Sequence, residues 1–427
     1  MKKKWIAIIL ILVTAFSAGC SSKGNDGKTS GGNTGGSEMT TLNIWSSGDE
    51  LERYVEGFNK QYPNIKVNIT VVPNDDFLAK IGPTLSSGKD APDLFTGESN
   101  YVKYLLKTDY WDDLSQAPYN FDNTKAGLWD FVVEAGTDQD GKIKALSWQA
   151  SPGGIIYRSD MAEEYLNVST SEEFSALISS NEKMLEIAEQ LKKNDIKMFA
   201  SWQDLLNMFF SNRTSPWVVE DQLVIDESIE EFMDMAKTIY ENGYDLNVDP
   251  WAPEWTAAVE SDDVFSYVLP TWGYQFVVKP GADTTSGNWA LAETPNSYIK
   301  GGTWLGIYKG SDNKEDAWKF LEYVTCNAEA QEDYAKEYGE YMSLKSVDEK
   351  LAGEEGDEVL GGQNLYEFYN KEMAKGVKDL MTEYDSAIND SLLSATKTYI
   401  RGTFSKEEAI QQIKEDVKSA YPDLTVD

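Results

Sequence analysis

The spacing of apolar residues changes period along the chain. In Thr41-Leu42-Asn43-Ile44-Trp45 apolar and polar positions alternate, the period of two that sets one face of a strand on a core. Leu51, Tyr54, Val55 and Phe58 then recur at helical spacing within 49–61, Pro63-Asn64 breaks that run, and Ile65, Val67, Ile69 and Val71 alternate again. Strand, helix and strand in that order predict a parallel pair joined by a crossover. The same reading predicts a helix over 77–87, a short strand over 91–95, a loop at Gly97-Glu98-Ser99-Asn100 and a helix over 101–107. Strands follow over 143–148 and 155–157, after a hairpin turn at Asp140-Gly141. A calcium loop through Asp138-Gln139-Asp140-Gly141 is rejected because the later ligands fail in spacing and Ser147 stands where the closing Glu belongs. Beyond it, helices are predicted over 171–178, 182–193, 226–242, 314–326, 328–338 and 405–420, and strands over 264–269 and 303–308. Ser171 and Ser405, each followed by paired glutamates, read as helix caps. The pattern is mixed α/β, with no repeat of solenoid period.

The first forty residues obey different rules. Met1-Lys2-Lys3-Lys4 is a basic start, and the apolar run Trp5 to Phe16 has the length of a signal-peptide core rather than a membrane span. It ends in Ser17-Ala18-Gly19-Cys20, which resembles the lipobox of bacterial lipoproteins, with Ser17 where such boxes usually carry Leu. The resemblance implies a signal peptide over 1–19, a lipid on Cys20 and an anchor at the extracytoplasmic face of a cell membrane, in a Gram-positive bacterium. Residues 20–39 are Gly-rich and polar, too poor in apolar surface to offset ordering, and read as a tether. Once Cys20 is lipidated only Cys326 remains, so no internal disulfide is available, and its apolar helical setting reads as core packing.

At 427 residues the chain exceeds what one core supports, so two or three domain-sized units are expected. Seventy-two acidic residues against 38 basic give a formal charge of −34, and loss of residues 1–19 removes three lysines and takes it to −37. Nucleic acid is excluded as a partner, since it needs a basic stripe. The sequence has no histidine, which removes histidine triads and histidine-ligated metals and leaves few catalytic schemes beyond paired carboxylates or a lysine.

Thirteen tryptophans carry the remaining signal, all but Trp5 in the body. Trp45, Trp148, Trp202, Trp272 and Trp304 end or interrupt strand-like runs, where open α/β sheets bind ligands. An aromatic ring offers a flat apolar face to the C–H side of a sugar, while the hydroxyls seek carboxylates and amides. Such partners follow nearby: Ser46, Ser47, Asp49 and Glu50, then Glu98 and Asn100, Gln149, Gln203 and Asp204. The plainer readings are core packing for each ring and helix-start charges for Asp49 and Glu50. Trp111, Trp129 and Trp318 read as packing residues, and Trp217, Trp251, Trp255 and Trp289 stay open between the two roles.

Five segments together resemble one known family. They are Leu42 to Glu50, Gly88 to Phe95, Pro270-Thr271-Trp272, Gly301 to Ile307, and Lys314 to Leu321. In order and spacing, the body from Thr41 to Asp427 resembles the extracellular solute-binding proteins of family 1, the sugar-binding components of ABC importers typified by maltodextrin-binding protein. The resemblance implies a class II periplasmic-binding-protein-like fold, two α/β lobes joined by hinge strands around a ligand cleft. One lobe would comprise 41–146 and 306–340, the other 149–302 and 343–427. It implies a monomer that closes on an oligosaccharide and presents it to ABC permease transmembrane subunits, without catalysis, cofactor or metal. By analogy Asp49, Glu50, Glu98 and Asn100 supply polar contacts, Trp272 stacks, Trp202 and Asp204 lie near a further contact segment, Trp304 lies at a hinge, and Tyr341 at the third crossing. Two other readings remain: a glycan-active hydrolase with two catalytic carboxylates, and a binding protein for a non-sugar solute such as a cationic ligand.

Overall fold

Alternating apolar residues become eleven strands among the described residues: β1 Thr40–Ser46, β2 Ile65–Val71, β3 Leu94–Glu98, β4 Leu146–Ser147, β5 Gly153–Arg158, β6 Lys197–Phe199, β7 Val218–Val219, β8 Gln222–Leu223, β9 Val264–Pro270, β10 Trp289–Ala292 and β11 Thr303–Ile307. They come from a computed structural model that describes residues 39–426. The leader, Cys20 and the Gly-rich segment up to Glu38 lie outside the described residues.

Two main sheets result. The first has the order β2-β1-β3-β11-β4: β1 lies parallel to β2 from Thr40↔Ile65 to Ser46↔Val71 and parallel to β3, while β11 runs antiparallel to β3 and β4. The second has the order β10-β5-β9-β6, with β6 parallel to β9 and the other pairs antiparallel. β7 and β8 form a separate hairpin. β11 is far from β3 in sequence yet is its direct neighbour, so the chain leaves the first sheet after β4, builds the second, and returns.

Three segments run between the sheets, and backbone hydrogen bonds lace them together. Gln149 forms an antiparallel bridge with Met342, and Pro152 one with Ile299. Ala150 N–H donates to Tyr341 O at 3.1 Å and Ser343 N–H to Trp148 O at 3.0 Å, while Gly153 N–H donates to Tyr298 O at 2.8 Å and Lys300 N–H to Ser151 O at 3.0 Å. Pairing satisfies backbone groups that the crossing would otherwise bury unpaired. Cores lie on both sides: Leu42, Ile44, Phe58 and Leu94 are fully buried in one cluster, and Phe174, Met198, Phe209 and Phe265 are buried in another.

Several local expectations shift. The strand expected over 91–95 is β3, three residues later, because Ala91-Pro92-Asp93 leads in and Asp93 accepts from Asn43 N–H at 2.9 Å. Gly97 and Glu98 therefore belong to a strand rather than a loop. The strand expected over 143–148 is only β4; Ile143 instead bridges Thr137, closing the turn at Gly141, whose φ is 78°. The cap of helix Ser171–Leu177 is Thr170, in a capping box with Glu173, whereas Ser405 caps Lys406–Ala420 in the same way with Glu408. Helices Leu365–Ala374 and Asp385–Ile400 were not expected. The second buries Ile388, Leu392 and Ile400 alongside Ser391 and Thr396, a weak apolar stripe made helical by packing between two neighbouring helices. Cys326 ends helix Lys314–Cys326 half-buried against the core, and burial pushes its thiol up to about 11.

Candidate functional site

Parallel strands deliver their carboxyl ends to one edge, and here those of β1 and β3 carry Ser47 and Glu98. β11 begins at the same edge, with Thr303 directly opposite Glu98. The hydroxyl of Ser47 donates to Glu98 Oε1, the hydroxyl of Thr303 donates to the same oxygen at 2.9 Å, and Ser47 N–H donates to Thr96 Oγ1 at 3.1 Å. Burial nevertheless pushes the Glu98 carboxyl up to about 7, against those two donors and helped by the charge of Glu50. Glu340 reaches the same corner from the third crossing. It is 2% exposed, its Oε2 has no hydrogen-bond partner, and burial, then Glu50, push it up to about 7 against Arg53. One wall therefore presents three carboxylates, two of them held near half-ionisation at neutral pH by desolvation.

The facing wall is aromatic. β9 ends at Pro270, and the chain turns through Thr271-Trp272-Gly273 into the helical stretch Tyr274–Val278. Trp272 is half-buried, and its Nε1–H donates to Lys300 O at 2.9 Å, which fixes the indole plane against the second crossing. Trp251 stacks on it, ring centroids 5.9 Å apart and 13° from parallel, and is 58% exposed. Phe276, one helical turn beyond Trp272, is 48% exposed. Trp272 and Phe276 form an apolar shelf across from the carboxylates, with Trp251 stacked on Trp272.

Gly301 and Gly302 lie at the junction, with φ of 92° and 112°, values that side-chain-bearing residues rarely adopt. A Cβ would lie 2.8 Å from Trp272 Nε1 at Gly301 and 2.9 Å from the Trp304 ring at Gly302. Around them the cleft opens as two chambers that share Gly301. One, of about 340 Å³, is lined by Ser47, Glu50, Asn74, Glu98, Gln149, Trp272, Phe276, Thr303 and Glu340; the other, of about 230 Å³, by Asn100, Asn207, Phe210, Arg213, Lys300, Lys378 and neighbours. A larger cavity of about 690 Å³ lies elsewhere, between helix Val102–Lys107, the 137–144 turn and Asp379–Glu383. No tryptophan lines it, and its lysines Lys103 and Lys107 are already paired with Asp379 and Glu383, so the cleft is the better site.

Of the residues expected from sequence, Ser47, Glu50, Glu98 and Trp272 meet in the first chamber, and Asn100 lines the second. The others point elsewhere. Trp148 is fully buried; Trp202, 2% exposed, tilts against Phe232 at 5.7 Å; Trp304, 1% exposed, donates Nε1–H to Val132 O at 2.8 Å. Tyr341 is fully buried and donates its hydroxyl to Asn370 Oδ1 at 2.6 Å. These four rings are core residues with no face toward the cleft. Trp45 packs half-buried against the cluster beneath β3, and Asp49 faces solvent in an ion pair with Arg53 at 3.6 Å. Asp204, 2% exposed, accepts from Trp255 Nε1–H at 2.9 Å, and burial pushes it up to about 7 against the charge of Lys300. It supports the shelf from behind, since Trp255 packs on Trp251 at 5.4 Å. Sequence reasoning left Trp251 open and missed Phe276, Thr303 and Glu340. Phe276 and Thr303 had findable signals, the i,i+4 spacing from Trp272 and the position opposite Glu98, whereas nothing local marks Glu340.

Sheet order, crossing strands and an interlobe cleft define a two-lobed solute-binding fold. Solved structures with this fold align over nearly their whole length. An extracellular solute-binding protein of family 1 matches at 19% identity over 89% of this chain and 99% of that one, with a TM-score of 0.77. The sugar-binding protein MalE from Xanthomonas citri matches at 18% identity, 89% and 97% coverage and TM-score 0.72, and the GacH receptor of Streptomyces glaucescens, solved unliganded and with acarbose, at 18%, 91% and 100% with TM-score 0.71. No curated protein sequence matches the chain. Residues 53–358 match the bacterial extracellular solute-binding protein family, and the chain belongs to it. Among the described residues no helix is long and apolar enough to cross a membrane, and no cluster of Cys, Asp and Glu is arranged to hold a metal.

Proposed function

We propose that the chain captures a carbohydrate, an oligosaccharide, between its two lobes and delivers it to the transmembrane subunits of an ABC importer. The observation that carries this reading is the aromatic shelf of Trp272, backed by Trp251, and Phe276 opposite Glu50, Glu98 and Glu340. A pyranose between these walls lays its C–H face on indole while its hydroxyls donate to the carboxylates. The two proteins named above, one described as sugar-binding and one solved with acarbose, support a saccharide ligand.

The lobes divide as 41–146 with 306–340 and 149–302 with 343–427, joined by the three crossings. Ligand that touches both walls stabilises the closed form over the open one, and the permease reads the closed form. The protein works as a monomer, held at the outer membrane face by lipid on Cys20, with 20–39 as tether. No step of chemistry is assigned to the carboxylates; they accept hydrogen bonds.

Thermal unfolding of the full chain against malto-, xylo-, manno- and other oligosaccharides, with product analysis of each hit, tests the proposal. A ligand that binds only the native state raises the midpoint by mass action. A shift with the saccharide recovered intact is the expected result. Cleaved saccharide would assign a hydrolase instead, and no shift across the panel would move the ligand out of the carbohydrates.

A further inference from the structure

The two chambers of the cleft differ in charge. Glu50, Glu98 and Glu340 line the first, which has no lysine or arginine among its lining residues. The second is lined by Arg213, Lys300 and Lys378 against a single carboxylate, Asp385. In a chain of formal charge −34, a chamber with three cations and one anion is a local reversal of sign.

None of the three cations makes a close ion pair among the described residues. Arg213 is 5% exposed, held by Nε–H donation to Phe210 O at 3.2 Å, by the rings of Phe210 and Trp217 at 4.9 Å, and by a loose ion pair with Asp385 at 3.7 Å. Its Nη1 has no acceptor. A buried guanidinium nitrogen without a partner is costly, and the residue that carries it lines the chamber an anion would enter. Lys300 is half-buried with its ammonium 5.7 Å from the Trp272 ring, so it adjoins the shelf on which a sugar would stack, and Lys378 is exposed. Neither lysine makes an ion pair among the described residues, and the one carboxylate that acts on Lys300 through space is Asp204, which does not line the chamber. The distant surface carboxylates that give the chain its net charge are screened over about 10 Å at 0.1 M salt, so they do not cancel this chamber.

We propose that the ligand is an anionic saccharide, whose neutral ring lies on Trp272 and whose carboxylate or sulfate occupies the chamber of Arg213, Lys300 and Lys378. This rests on the carbohydrate reading above and narrows it. Charge-assisted hydrogen bonds from lysine and arginine discriminate such a sugar from its neutral parent, whereas the carboxylate chamber repels a second anion and sets the orientation.

The test is calorimetric titration of the full chain with neutral oligosaccharides and, in separate arms, their uronate-bearing and sulfate-bearing counterparts, at low and high salt. Expected is binding of one anionic class about tenfold tighter than the neutral parent, a preference that shrinks at high salt. Lys378→Gln should reduce the preference severalfold with the affinity for the neutral parent unchanged, and Lys300→Gln should reduce the preference as well. Lys378 is exposed and unpaired, so its variant keeps the test readable if the half-buried Lys300→Gln variant does not fold. Equal affinity for neutral and anionic sugars, or a preference untouched in both lysine variants, overturns the proposal and leaves the carbohydrate reading standing. Binding of no saccharide in any arm overturns both.

Discussion

Trp251 and Trp272 come from different segments of the chain yet lie 13° from parallel with centroids 5.9 Å apart, and Trp251 is the more exposed of the two. Trp251 holds this place with φ of 69°, an unusual conformation for a bulky residue. The indole of Trp272 is fixed on its other side by the hydrogen bond to Lys300 O at 2.9 Å. Together these two contacts hold the Trp272 ring at the cleft wall.

Trp272→Ala should therefore cost about 1.5–3 kcal/mol of saccharide affinity, the scale of one buried aromatic surface. Trp251→Ala should cost less, about 0.5–1.5 kcal/mol, because it removes the stacking partner. Calorimetric titration measures both, and unchanged affinity in Trp272→Ala removes that residue from the site.

The buried rings should behave in the opposite way. Trp304→Ala removes a side chain 1% exposed and its hydrogen bond to Val132 O, so it should cost about 3–5 kcal/mol of stability. Denaturant unfolding reads this directly. A variant of native stability that fails to bind sugar would instead return Trp304 to the ligand site.

That contrast shows what the sequence could and could not reveal. The strand-helix-strand start and most of the helices of ten or more residues followed from period and spacing, because Leu42, Ile44, Tyr54 and Phe58 bury the faces their spacing predicts, while the family resemblance rested on five particular segments. The position of Trp272 at a strand end was equally legible. Yet Trp148 follows β4 and Trp304 lies near the start of β11, and both are core, since a place at a strand terminus fixes where a residue lies and not which way its ring turns. Glu340 escaped notice because its place depends on a crossing brought beside Glu50 and Glu98 from more than two hundred residues away.

Glu98 and Glu340 give the protein a pH dependence of definite sign. Both carboxyls are pushed by burial from 4.5 to about 7 in the folded state. Between those values the unfolded chain has released protons that the native protein still holds, so stability falls as pH rises from about 4.5 to about 7 and the contribution levels off on either side. Glu98→Gln and Glu340→Gln should each flatten this slope, removing up to about 3 kcal/mol of the change in unfolding free energy between the two ends of the range. Glu98→Gln should also weaken sugar binding, since a carboxylate acceptor becomes an amide. An unaltered slope in both variants would show that neither carboxyl titrates in this window.

Gly302→Ala places a Cβ 2.9 Å from the Trp304 ring at φ of 112°. The expected result is a loss of about 1–3 kcal/mol with a lowered unfolding midpoint. An unchanged midpoint would mean that the crossing tolerates another backbone path.

The account turns on a ligand that bridges both walls and draws the lobes together. Small-angle scattering of the full chain, without ligand and with a saturating concentration of the tightest-binding saccharide, measures this most directly. The prediction is a smaller radius of gyration with ligand bound. A radius that stays the same at saturation would contradict closure and with it the proposed mode of delivery.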